Sequence, residues 1–242
     1  MLTDQYTTPQ QVLAIYAHPD DAEFFAGGTI ARWASEGANI ILVLVTSGDK
    51  GSGDRDLTWQ QLREIREAET RAAAAQLGIS KVIFMRWRDG ELMPSMAMRR
   101  AFVRFIRLYR PDAVLSSDPS TRWRDDRRLN HPDHWIVASE VMSAVYPAAR
   151  DHLNFPELLY DEGLEPHITP FLYMSLSRQP NLRIITTDFQ AQKLRALAEH
   201  RSQVGDDLAR LQERLARYAD EELSSTSNTP QFAEYFRLIS LD

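Results

Sequence analysis

Short apolar runs alternate along the chain with longer segments that carry apolar residues at helical spacing. Residues 12–17 are an apolar run of strand length, residues 20–36 follow with helical periodicity, and residues 39–46 are nearly all β-formers. This order of strand, helix and strand predicts a β-α-β unit with two parallel strands.

The alternation continues through the rest of the chain. Thr58 and Gln61 match a capping box before a helix predicted over residues 59–77, and Gly78 is a C-terminal stop. Further strands are predicted over residues 81–87, 112–117, 171–176 and 182–187, and further helices over residues 95–109, 132–146 and 189–200, with another towards Ala219. The segments predicted to be loops are residues 117–130, 147–170 and 224–231.

No internal repeat and no long linker divides the sequence, so we predict a single domain over residues 1–242. Strands that alternate with helices indicate the α/β class, with a Rossmann-like, doubly wound, mostly parallel sheet and helices on both faces. Sheets of this kind bind ligands at the carboxyl ends of their strands. The residues that directly follow each strand are therefore the first candidates for a site.

The composition is that of an ordinary globular protein, and it limits the residue types that could bind a metal and the partners to be expected. The chain has 242 residues, of which 43% are hydrophobic, and no cysteine, so a bound metal must use His, Asp or Glu. The net charge of −6 disfavours binding to the phosphate backbone of nucleic acids. No signal peptide and no run of about 20 apolar residues is visible, so we expect a cytoplasmic protein without nucleic-acid or membrane partners.

Several common motifs are missing from the sequence. It contains no Gly-x-Gly-x-x-Gly turn after the first strand, no P-loop and no Gly-x-Ser-x-Gly elbow. Dinucleotide binding, nucleotide hydrolysis of the P-loop kind and serine hydrolase chemistry are therefore disfavoured.

Two similar tetrapeptides stand at predicted helix starts. His18-Pro19-Asp20-Asp21 follows the first strand, and His131-Pro132-Asp133-His134 opens the helix over residues 132–146. Proline at the first helical position, followed by acidic residues, also makes a good helix start, so a pair of helix caps is the structural alternative. The histidines in both tetrapeptides favour a metal site over that alternative.

The two tetrapeptides can supply the ligands of a catalytic metal ion, which keeps three protein ligands and one open position. The candidate ligands are His18, Asp21 and His134. Asp20 would stay free to take a proton from water, and His131 could stabilise an oxyanion or protonate a leaving amine.

Other short motifs accompany the tetrapeptides, and these are Ala22-Glu23, Gly27-Gly28-Thr29-Ile30, Thr46 to Gly48, Arg66-x-x-Glu69 and Leu77-Gly78. With them the chain resembles, over most of its length, the PIG-L/LmbE-like family of zinc-dependent N-acetylglucosamine (GlcNAc) deacetylases. The order Ala22-Glu23 is similar to the bacillithiol-biosynthesis branch of that family.

The resemblance implies an LmbE-like fold and a role for each site residue. The implied zinc ligands are His18, Asp21 and His134, with Asp20 as the general base and His131 as the stabiliser of the tetrahedral intermediate. Asp133 would orient His131 and favour its protonated form. Arg66 and Glu69 would bind substrate, and a salt bridge on a helix surface is the alternative for this pair.

The function that we expect from these residues is hydrolytic removal of an acetyl group from a GlcNAc-type sugar or sugar conjugate. The expected cofactor is Zn²⁺, with Fe²⁺ as the alternative, because a His-Asp-His set accepts either ion. The expected partner is the small-molecule sugar substrate, and the resemblance makes a homo-oligomer plausible. The competing functions are another single-metal amide or ester hydrolase, a metal-dependent phosphoesterase and a non-catalytic sugar-binding protein of the same fold.

Overall fold

The structure is a computed structural model that describes residues 2–241, apart from the side chains of residues 124 and 125. The strands are β1 (Gln11–Tyr16), β2 (Asn39–Thr46), β3 (Lys81–Trp87), β4 (Ala113–Ser117), β5 (Trp123–Asp125), β6 (Arg128–Leu129), β7 (Phe171–Ser175), β8 (Leu182–Ile185) and β9 (Ala233–Ser240). The α-helices are α1 (Asp21–Ser35), α2 (Trp59–Leu77), α3 (Met96–Tyr109), α4 (Pro132–Ser143), α5 (Pro156–Tyr160), α6 (Gln190–Glu199), α7 (Arg201–Val204), α8 (Leu208–Ala216) and α9 (Glu221–Ser225).

The central feature is a seven-stranded sheet with the order β3-β2-β1-β4-β7-β9-β8. The strands from β3 to β7 in this order pair in parallel, whereas β9 runs antiparallel to both β7 and β8. From β1 the chain adds β2 and then β3 on one side of the sheet. It then crosses back and adds β4 on the other side of β1. The structure confirms the predicted doubly wound, mostly parallel sheet, and its switch point lies between β1 and β4.

Successive residues of β1 point to opposite faces of the sheet, so the sheet has a core on each side. Leu13 and Ile15 pack with apolar residues of α3 and α4, whereas Val12 and Ala14 pack with apolar residues of α1, α2 and α6. The helices cover both faces, as predicted. Within residues 2–241, none of the helices combines the length and the apolar character needed to cross a bilayer.

The largest difference from the sequence prediction is β9, which the prediction omitted. The β-formers Tyr235, Phe236 and Ile239 could have indicated this strand. Its Glu234 carboxylate accepts the backbone N–H groups of Gly28 and Thr29 at 2.9 and 2.7 Å. The last strand therefore holds α1, the helix that begins at the first tetrapeptide.

Smaller differences concern segments predicted as loops or as longer helices. The predicted helix over residues 132–146 leaves α geometry after Ser143 and is kinked at Tyr146, whose backbone is extended (φ −141°, ψ 123°) before Pro147. Proline has no N–H to donate to the preceding turn, so regular helix cannot continue through it. The loop over residues 117–130 contains the β5-β6 hairpin, residues 147–170 contain α5, and residues 224–231 begin inside α9.

Candidate metal centre and active site

The first tetrapeptide forms the turn between β1 and α1. Asp20 precedes the helix with φ 84°, a left-handed conformation that is uncommon outside glycine and tends to occur at functional sites. Its side chain makes no capping hydrogen bond to the helix. The Asp21 carboxylate instead accepts the backbone N–H of His18 at 2.9 Å. The turn therefore presents His18, Asp20 and Asp21 together at the carboxyl end of β1.

The second tetrapeptide begins α4, at the end of the connection that follows β4. His131 is the N-cap, and its Nδ1 accepts the backbone N–H of Asp133 at 3.2 Å. Pro132 occupies the first helical turn, where its missing N–H leaves no hydrogen bond unmade. His134 follows within the first turn of the helix. Because β1 and β4 are neighbours, the two tetrapeptides meet at the switch point of the sheet.

The three predicted metal ligands converge in the structure. The His18 Nδ1 atom lies 3.2 Å from His134 Nε2 and 3.5 Å from Asp21 Oδ2. The His134 Nε2 atom lies 3.1 Å from Asp21 Oδ1. Zinc bonds of about 2.0–2.1 Å in a tetrahedral site place ligand atoms about 3.3–3.4 Å apart, so the spacing fits one small divalent ion.

The outward-facing nitrogen of each ligand imidazole meets an acceptor. His134 Nδ1 lies 2.9 Å from Asn130 Oδ1, and His18 Nε2 lies 3.1 Å from Asp89 Oδ1 and 3.4 Å from Asp133 Oδ2. These acceptors favour a proton on the outward nitrogen of each ring. The lone pairs of the inner nitrogens then face the site, which is the tautomer that a metal ligand requires.

The charges around the site favour a cation. Burial opposes ionisation of Asp21, but His134 and His18 hold its pKa well below the usual value for an aspartate. Burial opposes protonation of His18 as well, but contacts with Asp133, Asp21 and Asp89 outweigh it and raise the His18 pKa. Three carboxylates that stabilise a buried imidazolium would also stabilise a divalent cation in its place.

A second group of candidate ligand atoms shares His18 with the first and adds His131 and Asp133. The Asp133 Oδ2 atom already accepts the backbone N–H of Gly90 at 2.8 Å, and His131 Nδ1 already accepts a backbone N–H. In the set formed by His18, Asp21 and His134, Asp21 Oδ2 also accepts a backbone N–H, but Asp21 Oδ1 lies 3.1 Å from the inner nitrogen of His134, Nε2, which lies 3.2 Å from that of His18, Nδ1. The geometry therefore favours that set.

Asp20 and Arg66 lie side by side at the edge of the cavity. An Arg66 Nη2 atom is 3.6 Å from Asp20 Oδ1, and the guanidinium donates to the carbonyl oxygens of Pro19 and Gly48 at 2.9 Å each. Burial raises the pKa of Asp20 to about 7, and the positive charge of Arg66 opposes this rise. A carboxyl with a pKa near neutrality is well suited to exchange protons with water.

Arg66 also explains a glycine in the Thr46 to Gly48 motif. Gly48 has φ +64°, and a Cβ there would lie 2.0 Å from Arg66 Nη1. Any other residue would displace the guanidinium that fixes the turn carrying Asp20. Arg66 lines the cavity, and its role in substrate binding stays a prediction.

Two of the predicted contacts look different in the structure. The Asp133 carboxylate lies beside His18 and the Gly90 N–H, whereas the short contact between Asp133 and His131 comes from the Asp133 backbone. Burial and the nearby His18 charge lower the pKa of His131, whereas the charge of Asp133 raises it, the direction that was expected of Asp133. With Nδ1 accepting a hydrogen bond, neutral His131 carries its proton on Nε2.

Among the described residues, Arg66 pairs with Asp20, and no ion pair joins it to Glu69. The Glu69 carboxylate accepts from the backbone N–H and the hydroxyl of Ser202 at 2.8 and 2.6 Å, and so holds α7 against α2. Arg66 lines the cavity and Glu69 does not, and the role of the pair in substrate binding stays a prediction.

Two residues that contact the imidazoles of His18 and His134, Asp89 and Asn130, were not predicted from the sequence. Asp89 follows β3 by two residues, so a wider search of strand ends could have found it. Asn130 directly precedes the second tetrapeptide and holds its own place by donating to the Thr121 carbonyl at 2.7 Å. His200 is buried 3.5 Å from Glu23 and lies outside the candidate ligand cluster.

Asp89→Asn is expected to weaken Zn²⁺ binding by roughly 10–100-fold, because the substitution removes the negative charge that supports His18. Competition with a chromophoric chelator measures the affinity. The matched control is Glu91→Gln, which removes an exposed carboxylate from the same loop, where it pairs with Lys50. Equal affinities for the two variants would contradict a supporting role for Asp89.

Together, the fold and the site define a doubly wound α/β protein with a candidate His-Asp-His metal centre at its switch point. The sequence profile of the family described as GlcNAc-PI de-N-acetylase (PIG-L) matches residues 13–145. The chain belongs to this family.

Individual relatives agree with this membership. The chain is 30% identical over 212 residues to a diacetylchitobiose deacetylase of Thermococcus kodakarensis, a match that covers 88% of the chain and 77% of the relative. It is 33% identical to a 1D-myo-inositol 2-acetamido-2-deoxy-alpha-D-glucopyranoside deacetylase of Rhodococcus erythropolis, over 72% of the chain and 63% of the relative. The match thus spans less than two thirds of the second relative.

A solved structure supports the fold assignment. The N,N'-diacetylchitobiose deacetylase of Pyrococcus horikoshii, in complex with its inhibitor MPG, superposes with a TM-score of 0.83 and 30% identity. The superposition covers 96% of this chain and 84% of that one.

Proposed function

We propose that this protein is a metal-dependent N-deacetylase that removes the acetyl group from a GlcNAc-type sugar or sugar conjugate. The observation that carries the proposal is the His18, Asp21 and His134 cluster, which opens into a cavity of about 520 Å³ beside two further reactive groups, Asp20 and His131. The relatives named above are deacetylases of GlcNAc-containing sugars, and this supports the substrate class.

In the proposed site, His18, Asp21 and His134 would hold Zn²⁺ or Fe²⁺. A divalent ion bound there would supply Lewis acidity towards the acetyl carbonyl and towards water. Zn²⁺ is our first choice because the spacing of the ligand atoms matches a tetrahedral site, and Fe²⁺ is the alternative because imidazole and carboxylate ligands suit it as well.

The chain's own residues would move the protons. Asp20 lines the cavity beside Arg66 and makes no capping bond to α1, and its carboxylate would take a proton from the attacking water. The Nε2–H of neutral His131 would donate a hydrogen bond to the oxygen that gains negative charge as water adds to the carbonyl. The proton that Asp20 took from water would then pass to the amide nitrogen, and the C–N bond would break to give acetate and the free amino sugar.

The test is release of primary amine from GlcNAc and from N,N'-diacetylchitobiose by the purified protein. We expect activity with Zn²⁺ or Fe²⁺, loss of activity on treatment with a chelator, and recovery when the metal is returned. The absence of amine release from both substrates by folded, metal-loaded protein would contradict the proposal. Hydrolysis of phosphate esters under the same conditions, or sugar binding without turnover, would favour the competing functions.

A further inference from the structure

Glu23 and His200 form a buried ion pair outside the candidate ligand cluster. The His200 side chain is 0% exposed and that of Glu23 is 1% exposed, and His200 Nε2 lies 3.5 Å from Glu23 Oε1. In the described part of the chain, neither carboxylate oxygen of Glu23 and neither ring nitrogen of His200 has a hydrogen bond. Two ionisable groups that are buried in this way depend on each other for the cost of leaving water.

The start of α1 depends on contacts from outside the helix. Asp20 has a left-handed φ of 84° and makes no capping hydrogen bond, so the turn is held neither by a relaxed backbone nor by a cap. Such a conformation persists only where the surrounding structure fixes it. Arg66 bonds to the Pro19 carbonyl before the turn, and Glu23 lies in the first turn of the helix after it. Glu23 is therefore placed to hold the segment that carries Asp20.

His200 lies at the junction of α6 and α7, and this junction is bonded to the framework of the site. The His200 carbonyl accepts the backbone N–H of Gln203 at 2.9 Å. The Gln203 amide donates to the Gly51 carbonyl at 3.0 Å, in the loop after β2, and Ser202 donates to Glu69 of α2. The junction is thus tied to α2, which carries the guanidinium beside the turn, and to the loop that accepts its hydrogen bond.

The neighbours of His200 favour its charged form. Burial opposes protonation of the ring, but contact with Glu23 and the charge of Asp20 outweigh it and raise the His200 pKa, whereas the charge of Arg66 lowers it. The imidazolium therefore faces Glu23 and lies within electrostatic range of Asp20. A buried ion pair is screened much less by salt than a pair in solvent, so it can hold α1 against α6 at physiological ionic strength.

We propose that His200 is a positioning residue for deacetylation: its pairing with Glu23 fixes the first turn of α1 and so keeps the Asp20 carboxylate in place in the cavity. This inference rests on the proposed function. A general base must lie within hydrogen-bond reach of the water that it deprotonates, and a displacement of about 1 Å can cost about 100-fold in rate. His200 is buried and is not among the residues that line the cavity, so it acts through Glu23 and not on the substrate.

The first test is steady-state deacetylation of N,N'-diacetylchitobiose by zinc-loaded variants. His200→Leu removes the imidazolium and is expected to lower kcat by about 10–100-fold, with KM within about threefold and metal content unchanged. His200→Gln keeps a donor near the position of Nε2 and should stay within about threefold of the wild type. A near-normal kcat for folded, metal-loaded His200→Leu would overturn the proposal.

The matched control is His167→Leu, which removes a half-buried histidine that donates to the Pro111 carbonyl at 2.9 Å outside the cavity lining. It should lower the melting temperature and keep kcat. Glu23→Gln removes the charge without stranding a buried carboxylate, so it serves if His200→Leu does not fold. We expect it to lower kcat by about tenfold, and an unchanged kcat for this variant would overturn the proposal as well.

A double variant shows whether His200 acts through Asp20. In the Asp20→Asn protein, the added His200→Leu substitution should lower the residual rate by less than about twofold, because the base that it positions is already lost. Losses that multiply in the double variant would overturn the positioning of Asp20, since a general packing effect would slow both proteins equally.

Amide hydrogen exchange separates failure of this inference from failure of the proposed function, because it needs neither substrate nor turnover. The Phe24 N–H bonds to the Asp20 carbonyl at 2.9 Å, so its exchange reports on the first turn of α1. Exchange over residues 18–25 is expected to be at least about fivefold faster in His200→Leu than in the wild type or His167→Leu. Unchanged exchange would overturn the positioning role. Faster exchange, in a protein whose wild type releases no amine, would support the hold on α1 and overturn the deacetylase proposal.

Discussion

Asp20→Asn is expected to lower kcat for deacetylation by about 10²–10⁴-fold while leaving metal binding unchanged, because the amide cannot accept a proton from water. Asp20 lies next to the candidate ligand Asp21, but its carboxylate lies within ion-pair distance of Arg66 and is not part of the candidate ligand cluster. The substitution preserves the shape of the side chain and the left-handed turn, which asparagine tolerates well. Metal content by atomic emission and kcat from amine release measure the two effects separately.

The matched control for this variant is Asp161→Asn, which changes an exposed aspartate far along the chain at the end of α5. It is expected to keep both metal and rate. A near-normal rate for Asp20→Asn with metal bound would exclude Asp20 as the general base. Loss of the metal would instead place Asp20 among the ligands.

His134→Ala is expected to remove the metal and with it the activity. The residue supplies one of three converging ligand atoms, so its loss should weaken Zn²⁺ binding by more than the roughly 10–100-fold typical of a supporting residue. Equilibrium dialysis against Zn²⁺ measures stoichiometry and affinity, and circular dichroism checks that the fold is retained. Added Zn²⁺ should restore little activity at concentrations that saturate the wild type.

His131→Ala is the companion to this experiment, because His131 stands three residues earlier at the same helix start. It should keep stoichiometric metal and lose rate, since His131 is proposed to act on the oxyanion rather than on the ion. The reverse outcome, in which His131→Ala loses the metal and His134→Ala keeps it, would assign the ion to the alternative set of His18, His131 and Asp133.

Much of the fold followed from local patterns in the sequence. The strands β1 and β2 are buried on both faces of the sheet, so their sequences are nearly continuous apolar segments. The helix over residues 59–77 was predicted with its observed boundaries, because its capping box and Gly78 are local signals. By contrast, β9 was missed, since its place between β7 and β8 depends on antiparallel pairing with strands far away in the sequence.

The candidate site, like the fold, was predicted only in part from local patterns. The two tetrapeptides identified the residues that converge, but the partners of Asp133 and Glu69 were different from those expected. Asp133 lies beside His18 because the loop after β3 brings Gly90 to its carboxylate, and Glu69 bonds to α7, whose position depends on how the C-terminal helices pack. A spacing of three residues places Arg66 and Glu69 on the same side of α2, but it does not decide with which residue each side chain bonds.

The sequence by itself determined the α/β class, the alternation of strands and helices, and the two tetrapeptides with their chemistry. All of these are properties of short segments: the period of apolar residues, the cap of a helix, the ligand types within four positions. The tertiary structure alone decided that His18, Asp21 and His134 meet at a spacing that fits a tetrahedral site, that Asp89 and Asn130 lie beside the two imidazoles, and that Glu234 of β9 bonds to the backbone of α1. These depend on strand register and helix packing between segments up to about two hundred residues apart, where shifts of a few ångströms change every partner and no local pattern sets the distance.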